Sequence, residues 1–109
     1  LKFNQLRELK TIELEIMELF KEMEGIFNSG NYENIDKVIE EKSKFLETVS
    51  ELIQKQIKRI RTSENSPKNS KLYFGLLLET SDLVNATMSL LELFSVVVLL
   101  CCVFELLRV

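Results

Sequence analysis

Residues 32–67 read YENIDKVIEEKSKFLETVSELIQKQIKRIRTSENSP, and this stretch decides the fold. Ile39, Leu46, Ile53 and Ile60 recur at sevenfold spacing, flanked by Ile35, Val38, Phe45, Val49, Leu52 and Ile57. Apolar residues three and four apart share one face of a helix, whereas a strand would need strict alternation. The spacing predicts a long amphipathic helix over residues 32–62. Thr62-Ser63-Glu64-Asn65 is the polar break that ends it. Ser66 followed by Pro67 starts the next element, because the hydroxyl caps free N–H groups and proline suits the first helical position.

Towards the N-terminus the same periodicity appears at Leu6, Leu9, Ile12, Ile16, Leu19, Phe20, Met23, Ile26 and Phe27. This predicts a first helix over residues 1–28. Asn28-Ser29-Gly30-Asn31 interrupts it, with Gly30 suited to the left-handed residue after a helix and Asn31 to the next cap. Glu33 and Asp36 put negative charge where the second helix's dipole favours it. Towards the C-terminus, Leu72, Tyr73, Leu76, Leu77, Leu83, Val84, Leu90, Leu91 and Phe94 mark a third helix over 67–100 that can run on towards Leu107.

Short turns between long helices make antiparallel neighbours. The expected fold is thus all-α: a single domain, residues 1–109, forming an antiparallel bundle of three long helices, with an apolar tail at 95–109. Folding the chain at residues 30 and 66 gives a crude ladder. It sets position i of the first helix against about 60 − i on the second and about 72 + i on the third.

Composition agrees. With 46% apolar and 28% charged residues the 109-residue chain can bury a core, and one proline and three glycines allow few turns. Histidine is absent, which removes the usual near-neutral base and the commonest metal ligand. No Gly-rich phosphate loop, nucleophile elbow or Cys–His pairing is present, so no enzymatic activity is expected. Adjacent Cys101 and Cys102 form neither a disulfide framework nor a zinc motif, and are read as buried thiols in a reducing compartment. The net charge of −3 and the lack of a recognition motif argue against nucleic acid. Leu1 stands in place of an initiator Met with no leader behind it, as expected for a piece of a longer protein.

Three features are candidates for function. Glu13 interrupts the first apolar face, and Gly75, Glu79, Asp82, Ala86 and Ser89 form a stripe of small and acidic residues on the third helix. The ladder brings Glu13 near Asp82. Glu13, Glu79 and Asp82 are either a carboxylate site for a divalent or iron-type metal ion, or part of a solvent face. Next, Lys55, Lys58, Arg59, Arg61, Lys68 and Lys71 surround the second turn, where residues 55–71 hold one acid, Glu64. They either complement a helix C-terminus or contact anionic headgroups or an acidic partner. Last, the unbroken apolar run 96–104 is far short of the roughly 20 residues that span a bilayer. A helix apolar all round needs cover on several sides. Self-association through Val103, Phe104, Leu106 and Leu107, giving a homo-oligomer, is expected, unless this is an artificial end.

The segment 54–94 also resembles a known family. Gln54-Lys55-Gln56-Ile57-Lys58-Arg59-Ile60, then Asn69-Ser70-Lys71-Leu72-Tyr73-Phe74, then Leu77-Leu78-Glu79-Thr80-Ser81-Asp82-Leu83 are similar to PhoU-like domains. More narrowly, they resemble the cytoplasmic C-terminal region of bacterial sodium/phosphate cotransporters. The resemblance implies three-helix units and a regulatory role in phosphate transport on the cytoplasmic side of the inner membrane. The implied partner is the membrane portion of the same full-length protein, or a signalling protein. Many such domains bind metal through Glu/Asp-x-x-x-Asp; here Glu79 and Asp82 are three apart, and leucine replaces the histidine that usually follows. An adaptor whose role is oligomerisation, without ligand, is the alternative.

Overall fold

In the computed structural model, residues 1–62 and 64–108 are described; Ser63 of the expected second turn and Val109 of the expected tail lie outside them. Three helices run α1 Phe3–Ser29, α2 Ile35–Arg61 and α3 Pro67–Leu107, with a single 3-10 turn at Tyr32–Asn34 before α2. No strand occurs among the described residues. The ends follow local chemistry. Gly30 takes φ 67°, and its N–H closes α1 onto the Ile26 carbonyl. The Asn31 side chain accepts from the Glu33 N–H, which places Asn31 as the cap of the 3-10 turn rather than of the helix. Ser66 Oγ accepts from the Asn69 N–H with Pro67 in the first turn of α3, the start predicted from the sequence.

Three inner stripes meet in one core, and those of α1 and α3 repeat at seven. On α1 it is Gln5, Ile12, Leu19 and Ile26; on α3 it is Ser70, Leu77, Val84 and Leu91. Val38, Phe45, Val49 and Gln56 face them from α2. The buried apolar side chains among these join Met23, Tyr73 and Met88 in a single cluster. Fully burying each leucine-sized group contributes about 2 kcal/mol, which is what holds three otherwise marginal helices together.

Two expectations need correction. The α2 stripe is rotated by one residue: Val38 is buried while Ile39 is 40% exposed, and Gln56 and Arg59 are buried while Ile60 is 42% exposed. A polar cluster at the turn end turns the helix this way, as described below. The ladder between α1 and α3 is also shifted. Gln5 meets Asn69 and Glu8 meets Tyr73, whereas the fold points 30 and 66 set Gln5 level with residue 77. The segment between α2 and α3 stays close to the start of α1, so α3 begins there instead of running back past it.

The shift leaves the end of α3 projecting past α1. Phe27 of α1 packs edge-to-face on Phe94 of α3, ring centroids 5.4 Å apart, and α3 continues helical beyond it to Leu107. The molecule measures 69 × 18 × 16 Å. Residues 96–108 are all exposed, Cys101 and Cys102 among them, so the expected buried thiols are solvent-facing. Replacing Leu77 with Ala should cost about 3 kcal/mol in urea unfolding. Ile39→Ala, one residue off its stripe, should cost about 1 kcal/mol or less. Equal losses would refute this rotation of α2.

Candidate functional site

The densest chemistry lies at the end of the bundle where α2 turns into α3, and it is built on the polar members of the inner stripes. Gln5 donates through Nε2 to Gln56 Oε1 at 3.1 Å and to Asn69 Oδ1 at 2.7 Å. Its Oε1 accepts from the Lys2 backbone N–H and from Asn69 Nδ2. Gln56 Nε2 donates to Asn65 Oδ1 and Ser70 Oγ. Gln5, Gln56 and Ser70 are buried, yet their amide and hydroxyl groups find partners on another helix or the turn. Buried amides left unpaired would each cost about 1–3 kcal/mol. Lys2 also donates to the Glu64 backbone carbonyl, which pulls the start of α1 onto the turn.

One turn along α1, Glu8 anchors an ion pair. Arg59 grips it with two parallel bonds, NH1 to Oε1 at 2.8 Å and NH2 to Oε2 at 2.5 Å, with both side chains about 10% exposed. Tyr73 donates its hydroxyl to Oε1 at 2.7 Å, and Lys55 lies 3.1 Å from Oε2. Burial by itself would raise the Glu8 carboxyl, but the hydrogen bonds from Arg59, Tyr73 and Lys55 outweigh it and hold it at about 2. Tyr73 is pushed up, first by burial and then by the neighbouring carboxylate. The Arg59 guanidinium is held further above its usual value, chiefly by its bond to Glu8. Both Glu8 oxygens are fully engaged by donors, so the group is a clamp across α1, α2 and α3 and offers no spare lone pair as a base.

This arrangement redistributes the basic residues of the second turn. Arg59 and Lys55 are committed to Glu8, and Arg59 is buried, so it is removed from any surface contact. Lys58, Arg61, Lys68 and Lys71 remain exposed at the turn end. The carboxylate trio is placed differently from the ladder's expectation. Glu13 is exposed on α1 and pairs with Lys10 at 3.1 Å; Glu79 and Asp82 are exposed on α3. Among the described residues no group of three or more His, Cys, Asp or Glu side chains converges as a metal site. Glu13, Glu79 and Asp82 are not brought together as the oxygen cage a divalent cation needs.

Val103, Phe104, Leu106 and Leu107 lie on the projecting end of α3, all exposed. Flanking residues extend the short apolar run: by length and composition α3 includes a window able to cross a membrane, with 6% of that window buried. The apolar end and the basic turn sit at opposite ends of the long axis, because α3 starts at one and finishes at the other. Sequence reasoning passed over Gln5, Glu8, Gln56 and Tyr73 as site members. Gln5 and Ser70 are in sevenfold phase with Ile12 and Leu77, and that is the signal that could have marked them as buried.

No family model, curated protein or solved structure matches this chain.

The clamp predicts an acid limb of stability. A carboxyl held below its ordinary 4.5 stabilises the fold fully above that value, and the contribution is lost as pH falls towards about 2. Glu8→Gln should flatten that limb and lower stability at neutral pH by about 3 kcal/mol, because Arg59 is left buried without its partner. Urea titrations at pH 7, 4 and 2 read both effects; parallel curves for the two proteins would contradict the clamp.

Proposed function

We infer that this chain is a regulatory docking domain of a sodium-dependent phosphate transporter, working on the cytoplasmic face of a bacterial membrane. The observation that carries the reading concerns residues 54–94, where the likeness to PhoU-like domains lies. Gln56, Arg59, Asn69 and Tyr73 come from that segment, and they are side chains that Gln5 and Glu8 bind at the turn end; Ser70 joins them through Gln56. The likeness therefore falls on residues that act together in space.

In this reading the clamp keeps α1, the end of α2 and the start of α3 rigid with respect to one another. A rigid end displays Lys58, Arg61 and Lys68 in a fixed arrangement, with Lys71 one turn further along α3. Cations on a stiff platform suit an acidic protein face or phosphate-bearing headgroups, since the ordering cost of docking is reduced in advance. The domain acts by binding, and transport is carried out by the membrane portion. No metal is needed for this role.

The ligand-free adaptor is favoured by a different observation, the exposed apolar face of α3. One experiment separates the two. Sodium-dependent uptake of radiolabelled phosphate is followed over a range of external phosphate in cells whose gene lacks codons 1–109, and in cells carrying Lys58→Glu, Arg61→Glu and Lys68→Glu. The docking domain predicts that both changes alter the dependence of uptake on external phosphate. Uptake curves that overlay those of unaltered cells would reject it and leave the adaptor.

A further inference from the structure

Helix α3 carries two apolar stripes, one residue apart, and the bundle covers one of them. The inner stripe is the buried series Ser70, Leu77, Val84 and Leu91. The outer stripe begins as Leu72, Leu76, Glu79, Leu83, Ala86 and Leu90, all exposed. It continues without a break in phase along the projecting end as Leu93, Val97, Leu100, Phe104 and Leu107, also exposed. The spacing is four and three throughout, over a helix that is continuous from Pro67 to Leu107. Alternation of four and three is the repeat of a helix that packs on another helix in a left-handed supercoil. Between residues 72 and 107 the stripe is about 50 Å long at the standard rise.

We propose that the outer stripe of α3 is a dimerisation seam, and that it pairs with the same stripe of a second copy of this chain, antiparallel. Several observations select this occupant and this direction. A self-complementary stripe closes on itself through a two-fold axis, so no further kind of partner is required. In a parallel pair the two Glu79 carboxylates would meet in one layer of the seam. In an antiparallel pair centred near Met88, Leu72 faces the partner's Phe104 and Leu76 faces the partner's Leu100. Glu79 then faces the partner's Val97, a small side chain that leaves the carboxylate room to reach water. Each tail lies along the other copy's bundle.

Shape agrees with that register. Leu72, Gly75 and Leu76 line an open groove of about 710 Å³ together with Leu1, Lys68 and Lys71. The partner's Phe104 enters there, and Gly75 presents no side chain against it. Adding a Cβ at Gly75 would meet nothing within 4 Å in the single chain, so the space is available for an incoming residue. Asp82, Asn85, Ser89 and Glu92 stay on the solvent side of α3. The proposal rests on this helix alone and is independent of the phosphate-transport reading.

Single-cysteine variants of the whole chain test it. In a background with Cys101→Ser and Cys102→Ser, Leu76→Cys and Leu100→Cys are made separately, purified, and oxidised alone or mixed. The antiparallel seam predicts a disulfide-linked dimer in the mixture and little in either protein alone, because those two positions face each other within disulfide reach. Self-linking of each variant alone would overturn the direction. A monomeric mass in sedimentation equilibrium would overturn the seam, as would a monomer that floats with zwitterionic phosphatidylcholine vesicles, which would assign the stripe to lipid. Leu83→Lys, on the surface of the bundle, should abolish the dimer while leaving helicity unchanged.

Discussion

The buried pair between Glu8 and Arg59 fixes how the three helices stand relative to one another. Apolar stripes that repeat every seven residues can slide by a heptad and still bury leucine on leucine, so the core alone leaves the axial position loosely determined. A buried guanidinium has no such freedom. Slipping α1 by seven residues would carry Glu8 away from Arg59, Lys55 and Tyr73 and leave a charge in the interior without its partner, at a cost of several kcal/mol. The Gln5–Gln56–Ser70 layer adds directional bonds that are satisfied in this alignment. Apolar burial supplies the driving force, and the polar end supplies the choice of register.

From that register the rest of the shape follows. With Gln5 beside Asn69, α1 reaches its end at Ser29 close to the level of Phe94, and Phe27 packs edge-on against the Phe94 ring. Helix α2 begins at Ile35 near the same level because the Gly30 reversal and the 3-10 turn take few residues. Helix α3 has no stop signal there. Glycine and proline are both absent between Gly75 and Val109, and the run from Val96 to Phe104 is apolar, so the hydrogen-bonded ladder continues into open solvent. The overhang is a consequence of unequal helix lengths under a fixed alignment.

Much of this was legible in the residues. The three helices, the breaks at Gly30 and Ser66-Pro67, and the all-helical class came from periodicity and capping alone, because those signals are local. The rotation of α2 was not legible in the same way. Ile39, Leu46, Ile53 and Ile60 are as apolar as Val38, Phe45 and Val49, and two stripes one residue apart compete for the core on equal terms. The contest is decided by Gln56 and Arg59, which must face Gln5 and Glu8, and a pairing across 51 residues has no local signature. The same reason hid the clamp. Glu8 looks like one acid among many until Arg59 and Tyr73 are brought to it from two other helices. The ladder failed at Glu13 for a related cause: it assumed that the fold points lay at the level of the turn residues, and the bonds from Gln5 and Lys2 onto the second turn move α3 by about two helical turns.

The doublets of α3 carry the last consequence. Leu72-Tyr73, Leu76-Leu77, Leu83-Val84 and Leu90-Leu91 place apolar side chains about 100° apart around the helix, which is wider than two neighbouring helices on one side can cover. In each doublet the second residue is buried and the first is exposed, so the division is systematic along four turns or more. A surface leucine here and there needs no explanation, but a regular series that shares its phase with the tail does. Helix α2 shows the contrast: its displaced stripe keeps Leu46 and Ile53 half-covered by the core, and exposes Ile39 and Ile60 near its two ends. On α3 the uncovered stripe runs the full length of the helix. The bundle leaves Phe3, Leu6, Leu14 and Met17 of α1 exposed as well, but the uncovered stripe that continues from one end of a helix to the other is that of α3.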